Sequence, residues 1–248
     1  MFPLSDDNPT FRTPVATIGI IVALVGIWVL VQGGGFDPAQ LAITVCNWGL
    51  VPAELTHMRP IGFAVPLTND MVCAIDDHVV NYATPVLSMF LHGSWGHVLG
   101  NSLFLWVFGN NVEDVMGRGR FVMFYVLCGL LAGAAHLIVE PSSPVPTVGA
   151  SGAISGALGA YLVMYPRALV RTFFPPFFLF RIPAFVVLLL WFGMQFLSGL
   201  PQLLSPRPTI SGGVAVWAHI GGFFAGVVLG RLFANPELVA AHKASLRR

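Results

Sequence analysis

Apolar residues in this chain come in long, almost unbroken runs, and charged residues, Arg231 apart, fall in the stretches between them. Six such segments each approach the roughly 20 residues needed to cross about 30 Å of hydrocarbon: Val15 to Val31, His97 to Val112, Phe121 to Val139, Gly149 to Tyr165, Ile182 to Leu200 and Gly213 to Phe233. Only helices and closed barrels satisfy their own backbone groups in lipid, so runs of this length predict an all-α membrane protein with six transmembrane helices. The first run follows about a dozen mostly polar residues and has no small-residue cleavage site behind it, which reads as a retained helix and not a signal peptide. The chain divides into a short N-terminal tail (1–14), a helical domain (15–233) and a short C-terminal tail (234–248). The longest connection is a first outer loop at about 33–96, and neither tail is long enough to fold separately.

Composition sharpens this. Of 248 residues, 56% are hydrophobic and only 9% charged, with a mean hydropathy of +0.79. A soluble domain carries roughly a quarter charged residues, so the chain is an integral membrane protein by composition alone. A net charge of +1, with no basic cluster to neutralise phosphates, leaves nucleic acid without a binding surface. Cys46, Cys73 and Cys128 lack metal-type or redox-type spacing, and Cys46 and Cys73 share one loop, where a disulfide is possible.

The cations fix a direction. If six helices alternate, Arg12, Arg118, Arg120, Arg167, Arg171, Arg181, Arg231, Lys243, Arg247 and Arg248 all fall on one side, and only Arg59 and Arg207 on the other. That asymmetry places both termini in the cytoplasm, and five or seven helices would scramble it. Even-numbered helices then run from outside to inside. His97 and Asn101 near the start of the second, Ser151 near the start of the fourth and His219 near the start of the sixth therefore share one layer, roughly 6 to 9 Å below the outer surface.

Ionisable and polar groups at that depth are costly unless paired, and mark function by default. Each has an ordinary reading as well: Ser151 as a small packing residue between helices, His219 as an interhelical hydrogen bond. Their coincidence in depth favours chemistry. So does a pattern of small residues every fourth position: Gly152, Gly156 and Ala160 in the fourth helix, and Ala218, Gly222, Gly226 and Gly230 in the sixth. Face to face, the two stripes bring Ser151 within reach of His219. A serine hydroxyl needs a base to take its proton, which His219 can do, and no Asp or Glu lies at a depth to orient it. The expectation is a Ser-His dyad with the imidazole held by packing. His97 and Asn101, spaced i, i+4 on one helical face, supply side-chain donors for an oxyanion, and the Ser151 backbone N–H supplies another. Gly149 and Gly152 allow close approach. No cofactor or metal is required.

These residues resemble the rhomboid intramembrane serine proteases. The resemblance spans about Val15 to Phe233 and rests on His92-Gly93-Ser94-Trp95-Gly96-His97-Val98-Leu99-Gly100-Asn101, Val148-Gly149-Ala150-Ser151-Gly152-Ala153 and Ala218-His219-Ile220-Gly221-Gly222, in that order, with Phe108-Gly109-Asn110-Asn111-Val112-Glu113-Asp114 between. It implies a six-helix rhomboid-like bundle with a first outer loop partly embedded in the membrane. It further implies Ser151 as nucleophile, His219 as base, and His97 and Asn101 as oxyanion stabilisers. Tyr82-Ala83-Thr84-Pro85 departs from the Trp-Arg pair many relatives carry there, and Ser155 replaces a tyrosine that packs on the base in some. Support for His219 is then expected from Trp217 or Phe residues. His92 is read as a support of the first loop, Glu113, Arg118 and Arg120 as salt-bridging groups, and His57, His78, His136 and His242 as solvated or interfacial.

The function expected is endopeptidase cleavage of single-span membrane proteins in or near their transmembrane segments. Water would reach the site from outside, beneath a mobile cover at about Leu200 to Gly213, where five Pro and Gly residues argue against helix. The alternative is a noncatalytic rhomboid-like factor that binds or dislocates membrane clients; against it stand the four chemical residues, all present. A transporter is disfavoured because the polar residues form a layer and not a path. The partners expected are transmembrane substrates and the lipid bilayer; oligomeric state is not legible.

Overall fold

The computed structural model describes the chain except residues 67–71, 76–79, 177, 205–214 and 246–248. Helices dominate: α1 (Val15–Leu30), α2 (Pro38–Trp48), α3 (Pro52–Thr56), α4 (Thr84–Leu87), α5 (Trp95–Phe104), α6 (Asn110–Met116), α7 (Arg118–Val139), α8 (Ser151–Met164), α9 (Ala184–Leu204), α10 (Val216–Phe233) and α11 (Pro236–Ser245). Three helical stretches, Arg118–Val139, Ala184–Pro201 and Val216–Phe233, are long and apolar enough to cross a membrane; α1 and α8 are shorter apolar helices.

The centre of the molecule is the triple contact of α7, α8 and α10. Its closeness is set by glycine. A Cβ on Gly222 would lie 2.0 Å from the Gly152 carbonyl oxygen, one on Gly226 1.9 Å from that of Gly156, and one on Gly159 2.1 Å from that of Phe223. Backbone therefore packs on backbone, which only small residues permit. Around this seam the core closes with Phe108, Phe121, Phe124, Tyr125, Leu158 and Phe223.

The second apolar segment is not one α-helix. Between α5 and α6 the chain makes a π turn, Leu105–Gly109, that shifts the hydrogen-bond ladder without breaking the rod. Beyond it, Gly117 at φ 80° turns the chain into α7. The carboxylate of Glu113, 3% exposed, accepts from Ala16 N–H at 3.0 Å, Thr17 N–H at 2.8 Å and Thr17 Oγ1 at 2.8 Å. Pro14 at the start of α1 offers no cap of its own, so a residue almost one hundred positions away satisfies the orphan donors. Glu113 thus acts as a remote helix cap, not as the salt-bridging group its neighbouring arginines suggest. Arg120 instead donates from Nη1 to the Ala234 carbonyl at 3.3 Å.

The expectation of an all-α chain is corrected by two sheets. Strands β1 (Phe2–Asp6), β4 (Leu169–Phe174) and β5 (Phe178–Pro183) form an antiparallel sheet in the order β1-β4-β5, with Phe2 opposite Phe173 and Arg171 opposite Arg181. The N-terminal segment is thereby tied to the α8–α9 connection. Tyr161 donates from its hydroxyl to the Asp6 carboxyl, which burial pushes up to about 6. In the outer loop, β2 (Ala64–Pro66) pairs with β3 (Val72–Ala74), and a Cys46–Cys73 disulfide links that hairpin to α2.

The first loop is stapled to the segment that precedes α8. Leu50 and Thr147 exchange both backbone bonds at 2.9 and 2.8 Å, Ala53 N–H donates to Ser143 O at 2.9 Å, and Arg59 Nε–H donates to Ser142 O at 3.0 Å. Helix α9 continues to Leu204 with Pro201 inside it, so part of the cover expected at Leu200 to Gly213 is helical. The rest of that stretch, with Pro206, Pro208, Gly212 and Gly213, lies outside the described residues, as does His78.

Candidate active site

Ser151 is the first residue of α8, immediately after Gly149 at φ 127° and Ala150. Gly149 N–H donates to Ser88 O at 2.8 Å, which fixes the turn that delivers the serine. Only glycine fits there: a Cβ would lie 2.7 Å from the His97 imidazole. The first-turn N–H groups of α8, Ser151 among them, have no partner within the helix and remain available as donors.

His219 is the fourth residue of α10, and 7% exposed. Its Nε2 lies 2.6 Å from Ser151 Oγ, across the glycine seam. Gly152 and Gly222 are the seam residues at this level, so the packing of the two helices and the meeting of the two side chains are one geometric fact. Ser155 occupies its own helix, donating to the Ser151 carbonyl at 2.6 Å.

Two side chains hold the imidazole. Its Nδ1 faces Gln195 Oε1 at 2.9 Å, and the ring of Trp191 lies over it, 5.8 Å between centroids at 38°. Both come from α9. The sequence carried a signal for Gln195: it is the first amide in a helix that opens Ala-Phe-Val-Val-Leu-Leu-Leu-Trp-Phe-Gly-Met, and a polar group inside such a run wants a partner.

On α5, Ser94 caps the helix by accepting from His97 N–H at 3.1 Å. Asn101, buried, places Nδ2 3.0 Å from His92 Nε2, and one amide hydrogen remains free for another acceptor. His92 is fully buried and packs edge-on against His97, centroids 4.9 Å apart. Its backbone is clamped by Gln32, which accepts from His92 N–H and donates to its carbonyl, both at 2.8 Å. His92 therefore orients Asn101 as well as bracing the loop, and Gln32, unmarked by any motif, anchors both.

Two cavities meet at this cluster. One, of about 560 Å³, is lined by Ser88, Met89, His97, Gly133, Val148, Gly149, Ser151 and His219. The other, about 210 Å³, lies between α5 and α9, with Gly100, Asn101, Phe104, Ser151, Trp191, Gln195 and His219 on its walls. Ser151 and His219 thus line both cavities.

Two of the remaining histidines are not as expected. His136 is buried, its Nε2 3.1 Å from Thr147 Oγ1, and His242 is buried with Nδ1 3.1 Å from Asp114 Oδ2. The expectation of solvated or interfacial histidines fails for both because their partners, on another connection and another helix, are distant in sequence. His57 ends α3 in the left-handed region, exposed.

Helices apolar enough to span a bilayer, packed through glycine around a serine and a histidine in contact, define a helical membrane protein with a polar cluster in its core. The comparison with known proteins narrows this. The chain matches the Rhomboid domain over residues 80–236, and it belongs to the rhomboid family. It is 33% identical to Rhomboid protease GluP of Bacillus subtilis over 147 residues, 59% of this chain and 25% of that protein. It is 38% identical to Putative rhomboid protease YdcA of the same organism over 81 residues, 33% of this chain and 39% of that one. Presenilin-associated rhomboid-like protein of mouse mitochondria is 30% identical over 144 residues, 57% of this chain and 35% of its own length. The aligned parts make up between a quarter and two fifths of these relatives.

Proposed function

We propose that the protein is an intramembrane serine endopeptidase that cleaves single-span membrane proteins in or near their transmembrane segments. The observation that carries this reading is the 2.6 Å contact between Ser151 Oγ and His219 Nε2, made between two helix starts 68 residues apart. Ser151 is the nucleophile: its Oγ–H donates to His219 Nε2, the imidazole takes the proton as Oγ attacks the scissile carbonyl, and returns it to the leaving amine. The developing oxyanion is met by His97, by the free amide hydrogen of Asn101 and by the backbone N–H of Ser151. Gly149 and Gly152 keep Cβ atoms out of the substrate's path, while His92 and Gly222 hold Asn101 and His219 in place. None of these steps needs a metal or cofactor.

The topology proposed is six membrane crossings, formed by α1, the α5–α6 rod, α7, α8, α9 and α10, with both termini cytoplasmic and the site opening to the extracytoplasmic side. The cation asymmetry supports it, and so does the Cys46–Cys73 disulfide, which belongs in an oxidising compartment. With bacterial relatives named proteases, the bacterial cytoplasmic membrane is the setting proposed. Substrates reach Ser151 through the lateral cavity between α5 and α9. A substrate helix must unwind there, so segments with small or helix-breaking residues near the outer leaflet are the targets.

The test is cleavage of a panel of single-span reporters by the purified protein in liposomes, beside Ser151→Ala and His219→Ala variants with unchanged melting temperature. Loss of cleavage in both variants supports the reading. Cleavage by Ser151→Ala removes the dyad. No cleavage of any reporter by the unsubstituted protein transfers weight to a noncatalytic role in binding membrane clients.

A further inference from the structure

We infer that Gln195 is a positioning residue for the base, so that the site works as a Ser-His-Gln relay whose third member is a neutral amide. This rests on the reading of Ser151 and His219 as nucleophile and base. Oε1 of Gln195 carries no proton, so the hydrogen in its 2.9 Å contact with His219 belongs to Nδ1. An imidazole protonated at Nδ1 has its lone pair on Nε2, the atom 2.6 Å from Ser151 Oγ. The amide therefore selects the one neutral tautomer that can accept the serine's proton. Without an acceptor at Nδ1, the proton can shift to Nε2, and the ring then faces Ser151 with a donor.

Helix geometry explains why the amide is well held. Trp191 and Gln195 are spaced i, i+4, so α9 presents both on one face: the indole over the imidazole plane, the amide at its edge. Together they fix the ring's tilt and its rotation. As Nε2 takes the serine's proton the ring becomes cationic, with Nδ1–H still bonded to Oε1, and the carbonyl dipole stabilises that charge. No proton passes to Gln195. A carboxylate would stabilise the cation more, but would itself have to be desolvated at this depth, a cost the amide avoids. Gln195 is placed to act through His219, since its acceptor oxygen faces Nδ1 of the ring.

The experiment uses the full chain in liposomes with a cleavable single-span reporter, comparing Gln195→Met, similar in length but lacking the acceptor, with Gln195→Glu, which keeps one. Gln195→Met should lower kcat by about tenfold to a hundredfold, part of the roughly 10²–10⁴-fold that a positioned base contributes. KM should stay within about twofold. Gln195→Glu should retain most of the kcat, with the acid limb of its rate profile moved to higher pH because a carboxylate favours the imidazolium. Full kcat in Gln195→Met would overturn the inference. So would equal loss in both variants accompanied by lowered melting temperatures, which is the signature of a purely structural residue. Ser151→Ala, run alongside, separates the two levels: if it is inactive while Gln195→Met runs at full rate, only the Gln195 role falls; if it still cleaves, the dyad falls with it.

Discussion

Single atoms decide the site. Gly222 has no room for one carbon more, because its would-be Cβ meets a backbone carbonyl, which cannot rotate away. Gly222→Ala should therefore force α8 and α10 apart and destabilise the protein by about 1–3 kcal/mol, the usual cost of overpacking. A thermal melt in detergent reads this, with Gly19→Ala, where nothing lies within 4 Å, as the control expected to leave the melt unchanged. The same displacement should lengthen the Ser151–His219 contact and slow any cleavage. Residue placement was readable where residue type and spacing determine it: Ser151 between glycines, His97 and Asn101 one turn apart, small residues every fourth position. Gln195 was not read, although an amide in an apolar helix was visible, because its partner is fixed by the rotation of α9 and not by spacing. His136 and His242 escaped for the same reason.

At the scale of elements, the apolar runs found the helices but not their ends or their interruptions. The π turn at Leu105–Gly109 leaves the hydrophobic pattern intact, so nothing in the run announces it. The β1-β4-β5 sheet was missed because strand pairing joins residues about 165 positions apart, and because Phe173 to Phe180 reads equally well as a membrane-facing loop. The start of α1 shows how far a cap can come from. Glu113→Ala should leave two backbone N–H groups and the Thr17 hydroxyl buried without an acceptor, a loss of about 2 kcal/mol or more in thermal or denaturant unfolding. The sheet carries its own pH dependence. Asp6 is raised from 3.8 to about 6 by burial, so folding favours its protonated form. Its contribution is fully present below pH 3.8 and is lost as pH rises through about 6. Melting temperature should fall between about pH 4 and pH 6.5, and Asp6→Asn should flatten that part of the slope; an equal slope in the variant would place the dependence elsewhere.

Across the whole molecule, helix packing brings distant polar residues to one place. α5, α8 and α10 begin near one level, so polar residues scattered over more than a hundred positions converge there, and the first loop is bonded to the segment leading into Ser151. That convergence was legible in the sequence because alternating spans fix which ends lie together. The disulfide was legible as a possibility, from two cysteines in one loop, whereas the path of the loop and the docking of the N-terminal strand depended on contacts that no local pattern encodes. The central claim is that Ser151 is a nucleophile activated by its histidine. The most direct measurement is covalent labelling by a serine-reactive fluorophosphonate, located by peptide mass spectrometry. The account predicts a single phosphonylated residue, Ser151, with labelling lost in Ser151→Ala and strongly slowed in His219→Ala. Labelling at another serine, or at Ser151 with undiminished rate in His219→Ala, would contradict it.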